Sequence, residues 1–259
     1  MPQVINTNIF ALNAQRNLNK TTASLQTAME RLSSGLRINR AKDDAAGLAI
    51  SDKMTAQIRG LNQAIRNVND GVGYVQTADG ALAEVTNSLQ RMRELAVQAS
   101  TGTVSSTGGA SSDKGKLNAE FQALEASIND ILADTKFNGV AVFGASVTIQ
   151  SGTESGNTIA VDVSSPSLSG ITADISTASG AQGALATLDA DLNAVADVRA
   201  SAGASQSRLE STARNLANVV ENVSAARSQI LDADFAMETA NLTRAQILQQ
   251  SGAAILAQA

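Results

Sequence analysis

The sequence predicts a mainly α-helical protein: a long, antiparallel, coiled-coil-like helical rod with a small β-hairpin region. Three observations lead to this fold class. Apolar residues recur every seven positions through a long stretch in each half of the chain, as in helices that pack along a narrow seam. Aromatic residues are 2% of the 259 residues, so small aliphatic side chains must fill the interior. The only prolines are Pro2 and Pro166, which leaves room for long helices on both sides of Pro166.

The first part of the chain predicts a terminal helix, a connector and a long helix. Ile5 and Ile9 have helical spacing, which predicts that the terminal helix begins near them. A break in the helix is expected over residues 34–47. The long helix carries one seam at seven-residue spacing and a second seam whose spacing changes near residues 78–79, which predicts a stammer. The first seam comprises Leu61, Val68, Val75, Leu82, Leu89 and Ala96, and the second comprises Ile58, Ile65, Val72, Val85, Met92 and Ala99.

The middle of the chain changes character. Residues 102–115 are rich in Ser, Gly and Thr and predict a loop, and residues 117–132 recover helical spacing. A turn is expected at Phe137-Asn138-Gly139. Alternating apolar residues at Val147 and Ile149, and again over residues 159–163, predict a β-hairpin. Residues 164–183 are small and polar, and they show no clear period.

The last part predicts a second long helix, a short break at residues 232–234 and a final helix from Phe235. Its alternate seam is poor, because Arg199, Gln206 and Arg227 occupy positions where apolar residues are expected. Its first seam comprises Leu188, Val195, Ala202, Leu209, Leu216, Val223 and Ile230.

The two ends of the chain match in kind, so the simplest packing pairs the long helices antiparallel and brings the termini to one pole. Neither terminal helix has a large expected partner within the chain. Because short isolated amphipathic helices are marginal in water, we expect these helices to be disordered in the monomer and ordered in an assembly. The expected regions are the terminal helix and connector (1–45), rod helices (46–143), hairpin and variable region (144–185), rod helix (186–231) and terminal helix (232–259).

Composition excludes several kinds of chemistry. The chain contains no cysteine and no histidine, so thiol catalysis, disulfides, zinc fingers and imidazole bases are excluded. Asp232 and Asp234 precede the final helix, where capping its amide groups explains them better than catalysis. We therefore expect no enzyme activity, cofactor or metal. No Sec-type signal peptide or membrane-spanning run is visible, and a net charge of −5 is no signature of nucleic-acid binding.

An ordered set of short strings resembles bacterial flagellins, and together they cover roughly residues 1–143 and 186–259. Any one string is weak support, but the set in this order is specific. The strings are Val4-Ile5-Asn6-Thr7-Asn8, residues 31–39, residues 41–47, Asn69-Asp70-Gly71, residues 89–96, Phe137-Asn138-Gly139, Ser207-Arg208-Leu209, residues 230–236 and residues 246–259.

The resemblance implies a structural subunit that polymerises into the extracellular flagellar filament for motility, after export by the flagellar type III system. The implied partners are further copies of the chain, an export chaperone, a cap protein and hook–filament junction proteins. The middle region, residues 144–185, has no room for large outer domains. The family usually continues as an apolar tail beyond Ala259, so this version is expected to assemble poorly.

Two segments are candidate contact sites. The connector is expected to meet neighbouring subunits through ion pairs, with glycine supplying a turn. It also resembles the peptide recognised by the plant flagellin-sensing receptor kinase, which implies Asp43, Asp44 and Gly47 as contacts. The connector candidates are Arg31, Arg37, Lys42, Asp43, Asp44 and Gly47.

The second candidate segment lies on the first long helix and resembles the surface bound by the flagellin-sensing Toll-like receptor. Gln90, Arg91 and Glu94 are expected on a solvated face, with Leu95 as an exposed apolar anchor beside Arg91. Glu120, on the following helix, matches a third position of that surface. The same patch, Gln90, Arg91, Glu94, Leu95 and Glu120, is expected to be buried between protofilaments.

Two alternatives stay open. A hook–filament junction protein shares the terminal-helix design, although such proteins generally lack the strings at 31–47 and 90–95. A surface-displayed, flagellin-like binding protein could hold a ligand such as a glycan in the polar middle region, which has almost no aromatic side chains for sugar stacking.

Overall fold

A computed structural model describes residues 8–105 and 112–258 of the chain. The predicted string at residues 4–7, part of the loop at 106–111, and the side chains of Ile255 and Leu256 lie outside this description. The described residues form two compact units, one from residues up to 59 and from 219 onward, the other from 60 to 218. The elements are α1 (Ile9–Ser34), α2 (Ala45–Ser100), α3 (Asp113–Asp134), β1 (Lys136–Phe137), β2 (Val140–Ala141), β3 (Ala145–Gln150), β4 (Thr158–Val163), α4 (Ala178–Leu231) and α5 (Phe235–Gln258).

The buried face of α2 follows an uninterrupted heptad pattern. The first predicted seam is buried throughout. The predicted stammer near residues 78–79 is wrong, because the second seam is formed by small residues rather than by Ile65 and Val72, which are only half-buried. A β-carbon at Gly71 would clash with the side chain of Ile149 of β3 and would touch Leu209 of α4 at 3.4 Å, so a residue without a side chain suits this position. The second seam comprises Ala64, Gly71, Ala78, Val85, Met92 and Ala99.

Within the unit formed by residues 60–218, α2 and α4 run antiparallel, as predicted. Arg199 Nε donates to Asp79 Oδ1 at 2.8 Å, and Arg93 Nε donates to Asp189 Oδ1 at 2.7 Å. Arg199, which the sequence left as a polar interruption of the seam, therefore has a carboxylate partner on the facing helix. Helix α4 begins at Ala178, eight residues before the start at residue 186 that the sequence predicted.

The turn and the hairpin lie where the sequence predicted them, and the turn joins a further pair of short strands. The turn residues Asn138 and Gly139 have φ angles of 49° and 82°, which suit a tight two-residue hairpin turn between β1 and β2. β3 and β4 pair antiparallel with Val147 opposite Val161. The alternate residues of β4 are buried, and these are Ile159, Val161 and Val163.

Residues 164–177, which showed no period, are held in place by two side chains of neighbouring helices. Buried Asp191 of α4 accepts the amides of Ser169 at 2.9 Å and Gly170 at 2.7 Å. Asn118 of α3 accepts the amide of Ile175 at 3.0 Å. Side chain-to-backbone hydrogen bonds therefore order a segment that lacks regular secondary structure.

The other unit contains α1 and α5, which pack against each other. Arg31 of α1 lies beside Glu238 of α5, and Leu18 of α1 lies beside Gly252 of α5, so the two helices are antiparallel. The expectation that neither terminal helix has a large partner within the chain is thus wrong, because each is the partner of the other. None of the described helices is both long enough and apolar enough to cross a membrane.

Candidate assembly and contact surfaces

The connector between α1 and α2 is joined by backbone hydrogen bonds to the junction between α4 and α5. Ala233 donates its amide to Gly35 O at 2.9 Å, and Arg37 donates its amide to Leu231 O at 2.6 Å. Leu36 and Asp232 form the antiparallel bridge between these bonds. Arg37 Nη2 also donates to Ile230 O at 2.7 Å, so one candidate residue holds the two breaks together.

Arg31 makes an ion pair that the sequence analysis missed. Its Nη1 donates to Glu238 Oε1 at 2.9 Å, and the Glu238 side chain is only 10% exposed. Arg31 Nε is buried without a hydrogen-bond partner among the described residues. The acidic residue in the first turn of α5 was a sequence signal for this pair, because carboxylates favour the amide-rich start of a helix.

The acidic residues of the connector serve its own backbone. Asp43 Oδ2 accepts the amides of Asn39 at 3.3 Å and Arg40 at 3.0 Å. Asp44 Oδ1 accepts the amide of Gly47 at 2.8 Å and so caps the start of α2. Lys42 is exposed and has no hydrogen-bond or ion-pair partner within residues 8–105 and 112–258.

Gly47 is buried at a point where a side chain does not fit. A β-carbon there would lie 2.5 Å from Asp44 Oδ2 and 2.8 Å from Ile38 Cδ1. Any larger residue must displace the carboxylate that caps α2. The sequence assigned Gly47 to a turn, whereas it lies in the first turn of a helix and serves close packing.

The second candidate segment assembles a cluster of charges across two helices. Arg91 of α2 donates from Nη2 to Glu120 Oε1 of α3 at 2.8 Å and from Nη1 to Glu94 Oε2 at 2.9 Å. These hydrogen bonds, first to Glu120 and then to Glu94, raise the pKa of Arg91 above its already high value, so the guanidinium of Arg91 stays charged. Gln90 is exposed beside it. Four of the predicted residues therefore lie on one polar surface.

Leu95 does not belong to that surface. It is 1% exposed, so the prediction of an exposed apolar anchor is wrong. Both α3 and α4 pair with this part of α2 through Arg91 and Arg93, and two neighbouring helices bury a wider face than one seam. The exposed apolar residue here is Val97, which the sequence analysis missed and which is 47% exposed.

Asp234 has the capping role that the sequence predicted. Its Oδ1 accepts the amides of Ala236 at 2.9 Å and Met237 at 3.2 Å, at the start of α5. Asp232 Oδ2 accepts the hydroxyl of Ser228 at 2.5 Å. Both carboxylates are thus used by local structure.

The α1–α5 pair carries an exposed apolar surface. Its buried apolar residues are only Ala28 and Ala245 among those described. Large side chains on both helices are exposed by 52–67%, and these are Ile9, Leu12, Met29, Phe235, Met237, Ile247 and Leu248. We call these seven residues the terminal apolar face. Several large apolar side chains exposed on one helix pair are typical of an interaction surface.

Comparisons with known proteins agree with this architecture. Residues 5–148 match the bacterial flagellin N-terminal helical region, and residues 185–259 match the bacterial flagellin C-terminal helical region. The chain is 48% identical to a flagellin of Halalkalibacterium halodurans over 264 residues, which cover 99% of this chain and 95% of that protein. It is 39% identical to the flagellar filament 33 kDa core protein of Treponema phagedenis over 282 residues, with 99% and 96% of the two chains covered.

A solved structure is similar as well. The crystal structure of Bacillus cereus flagellin matches with a TM-score of 0.51 and 30% sequence identity, over 58% of this chain and 88% of that one. The family descriptions cover both predicted helical halves and leave out residues 149–184, which run from the end of β3 into the first turns of α4. The chain therefore belongs to the bacterial flagellin family.

Proposed function

We propose that this chain is a structural subunit that polymerises with copies of itself into the flagellar filament, through the terminal apolar face of α1 and α5. The observation that carries the proposal is the exposure of that face. Burying one large apolar side chain contributes about 1.5–3 kcal/mol. Covering these seven residues with a second copy is therefore strongly favourable.

Different parts of the chain lie in different layers of the proposed filament. Residues 1–45 and 232–259 form the inner tube, residues 46–143 and 186–231 form the rod around it, and residues 144–185 form a short outward region. The support is the distribution of exposed apolar side chains, which is densest on α1 and α5. The role is mechanical rather than catalytic.

Export through the flagellar type III system, with an export chaperone, places the subunit outside the cell, where it meets the cap and the hook–filament junction proteins. The support is physical: this chain has no cysteine, so no disulfide has to be opened before the chain passes a narrow channel in an unfolded state.

We assign the charged cluster of Gln90, Arg91, Glu94 and Glu120 to contacts between protofilaments and, in a host, to the Toll-like receptor. Its support is that the ion pairs fix the side chains in one arrangement before a partner arrives. Leu95 acts only from beneath, by packing. The first candidate segment extends from the end of α1 to the start of α2 and is assigned to assembly and to the plant receptor kinase, with Lys42 exposed to a partner. Its residues are Arg31, Arg37, Lys42, Asp43, Asp44 and Gly47.

Seeded growth tests the proposed function. Monomers are mixed with short filament seeds, and elongation is measured by electron microscopy and by sedimentation. With the apolar tail typical of the family added to every variant alike, the wild-type sequence should elongate the seeds. Leu12→Gln combined with Ile247→Gln should raise the critical concentration at least tenfold, because a loss of about 1.4 kcal/mol of contact energy corresponds to that factor.

The matched control is Gln15→Ser, which changes an exposed polar residue of the same helix α1. It should elongate seeds like the wild type. Equal growth of the double variant and the control would show that the terminal apolar face is not the polymerisation surface.

A further inference from the structure

A groove between α1 and α5 carries more positive than negative charge. It has a volume of about 520 Å³ and is lined by Lys20 and Arg31 of α1 and by Glu238, Arg244 and Leu248 of α5, among others. Its one carboxylate, Glu238, is nearly buried and already accepts a hydrogen bond from Arg31. Lys20 and Arg244 are exposed, and neither has a hydrogen-bond or ion-pair partner among the described residues. The groove thus contains three cations and a single, already occupied anion.

Arg31 adds a second sign that the groove is incomplete. Its Nε is the buried side-chain nitrogen without a partner in the described part of the chain. Buried polar groups in proteins are almost always hydrogen-bonded, and an unpaired one calls for a missing acceptor. The partner must supply an acceptor atom, and a carboxylate oxygen is the strongest such partner in a protein, because a guanidinium has only donors.

The groove lies beside the terminal apolar face, with Leu248 common to both. When a second copy covers that face, the groove loses water and its unpaired cations lose their hydration. Removing a charge from water without a partner is strongly unfavourable, whereas an ion pair gains strength as the dielectric constant falls. A covering surface without an acidic side chain would therefore be rejected.

The charge distribution of the chain provides such a surface. Of the 19 basic and 24 acidic residues, α1 and α5 hold four basic and two acidic ones, which leaves 15 basic and 22 acidic residues elsewhere. The terminal helix pair is therefore positive in an otherwise acidic protein. We propose that the groove between α1 and α5 receives a carboxylate side chain of a second copy of this chain, paired with Lys20, Arg31 and Arg244. This inference rests on the proposed polymerisation and names one polar contact within it.

Zero-length cross-linking tests the contact directly. Filaments are grown in chloride buffer from a mixture of ¹⁵N-labelled and unlabelled chains, treated with a carbodiimide that joins amines to touching carboxylates, and analysed by mass spectrometry. Lys20 should be joined to an Asp or Glu of a chain with the other label. A Lys20 that is unlinked, or linked only to Glu238 of its own chain, overturns the proposal.

A pair of variants supplies the second readout. Arg244→Gln removes a cation from the groove, and Arg16→Gln removes one from the same helix pair outside it. The critical concentration for seeded growth should rise on the order of tenfold for Arg244→Gln and stay within about twofold for Arg16→Gln. Equal effects of the two variants overturn the proposal.

Failure of the groove and failure of the proposed function are distinguishable. If the wild type does not elongate seeds, the polymer function fails; if filaments grow without the intermolecular link at Lys20, only the groove contact fails. Free phosphate is the other possible source of an oxyanion in the groove, and it is tested by adding inorganic phosphate at constant ionic strength. If Lys20 forms no link to a second chain in chloride buffer and only phosphate protects it from chemical modification, the groove binds free phosphate. That result overturns the proposed carboxylate contact.

Discussion

At the scale of single residues, Gly170 and Asp191 order the segment that precedes α4. A β-carbon at Gly170 would lie 2.7 Å from the backbone nitrogen of Leu188 and 2.8 Å from Asp191 Oδ2. The clash is with a helix backbone, which cannot move aside as a flexible side chain can. The carboxylate of Asp191 reaches the amide of Gly170 only because nothing stands between them.

Gly170→Ala should therefore destabilise the protein by about 1–3 kcal/mol, as overpacking of a buried site does. The control is Gly183→Ala in α4, where a β-carbon has no neighbour within 4 Å. That change should stabilise the protein by about 0.5–1 kcal/mol, because alanine is the better helix former. Chemical unfolding of both variants measures the difference, and a stable Gly170→Ala would contradict the packing described for this segment.

Tyr74 provides a second prediction at this scale. Burial, and then the nearby charge of Asp162, raise the pKa of Tyr74 above its ordinary value of 10.0. Its hydroxyl donates to Val142 O at 2.8 Å. Because the folded pKa is raised, the stabilisation from neutral Tyr74 is fully present below pH 10 and is lost as pH rises through the folded pKa.

The chain has one tyrosine and no tryptophan, so absorbance of tyrosinate reports this group alone. The titration midpoint should lie above 10 in the folded protein and return to about 10 in denaturant. Tyr74→Phe should lose about 1 kcal/mol at neutral pH and then show a shallower fall in stability above pH 10 than the wild type. A folded midpoint at or below 10 would contradict the burial.

The sequence correctly predicted burial at positions where burial follows from the heptad period of one helix. It failed at positions where burial depends on a further neighbouring helix. Val68, Leu82 and Leu89 are buried because a heptad position faces the partner helix whatever else is nearby. Leu95 and Ala78 escaped prediction for opposite reasons. Leu95 looked exposed because only one neighbouring helix was assumed, and Ala78 was passed over because a small side chain gives a weak hydrophobic signal.

At the scale of elements, the two chain breaks form one joint. Arg37 donates from its backbone and from its side chain to the last turn of α4, while Gly35 accepts from Ala233 at the start of α5. Gly35 has a φ of 72°, a left-handed conformation that ends α1 and turns the chain towards this bridge. The periodicity of the sequence cannot predict this pairing, because the pairing joins backbone atoms of residues that lie about 195 positions apart.

Arg37→Ala should loosen the joint without unfolding the protein. The lost hydrogen bond to Ile230 O is exposed and contributes roughly 0.5–1.5 kcal/mol. Amide hydrogen exchange at Ala233 should therefore quicken by roughly two- to tenfold. Lys42→Ala, at an exposed connector residue without a described partner, is the control and should leave that rate unchanged. An unchanged rate in Arg37→Ala would mean that the backbone bridge holds alone.

At the scale of the whole molecule, the two compact units differ in how much they bury. Large side chains such as Phe121, Leu82 and Ile128 fill the interior of the unit formed by residues 60–218. In the other unit the buried apolar side chains among the described residues are Ala28, Ile38 and Ala245. Since stability follows the apolar area removed from water, the α1–α5 pair should open far more often than the rest.

Limited trypsin digestion measures how often the α1–α5 pair opens, and it can be compared between the monomer and the filament. In the monomer, cleavage should begin at Arg16 and Lys20 of α1 and Arg244 of α5, and stop at a core near residues 50–230. In seeded filaments the same sites should be cut at least about tenfold more slowly, because neighbouring copies cover the terminal apolar face and suppress the opening that cleavage requires. Arg199 gives the internal reference, since its ion pair with Asp79 lies within the unit formed by residues 60–218. Equal protection of α1 in monomer and filament would mean that the helix pair is stable alone, and folding on assembly would then have to be abandoned even if the filaments grow.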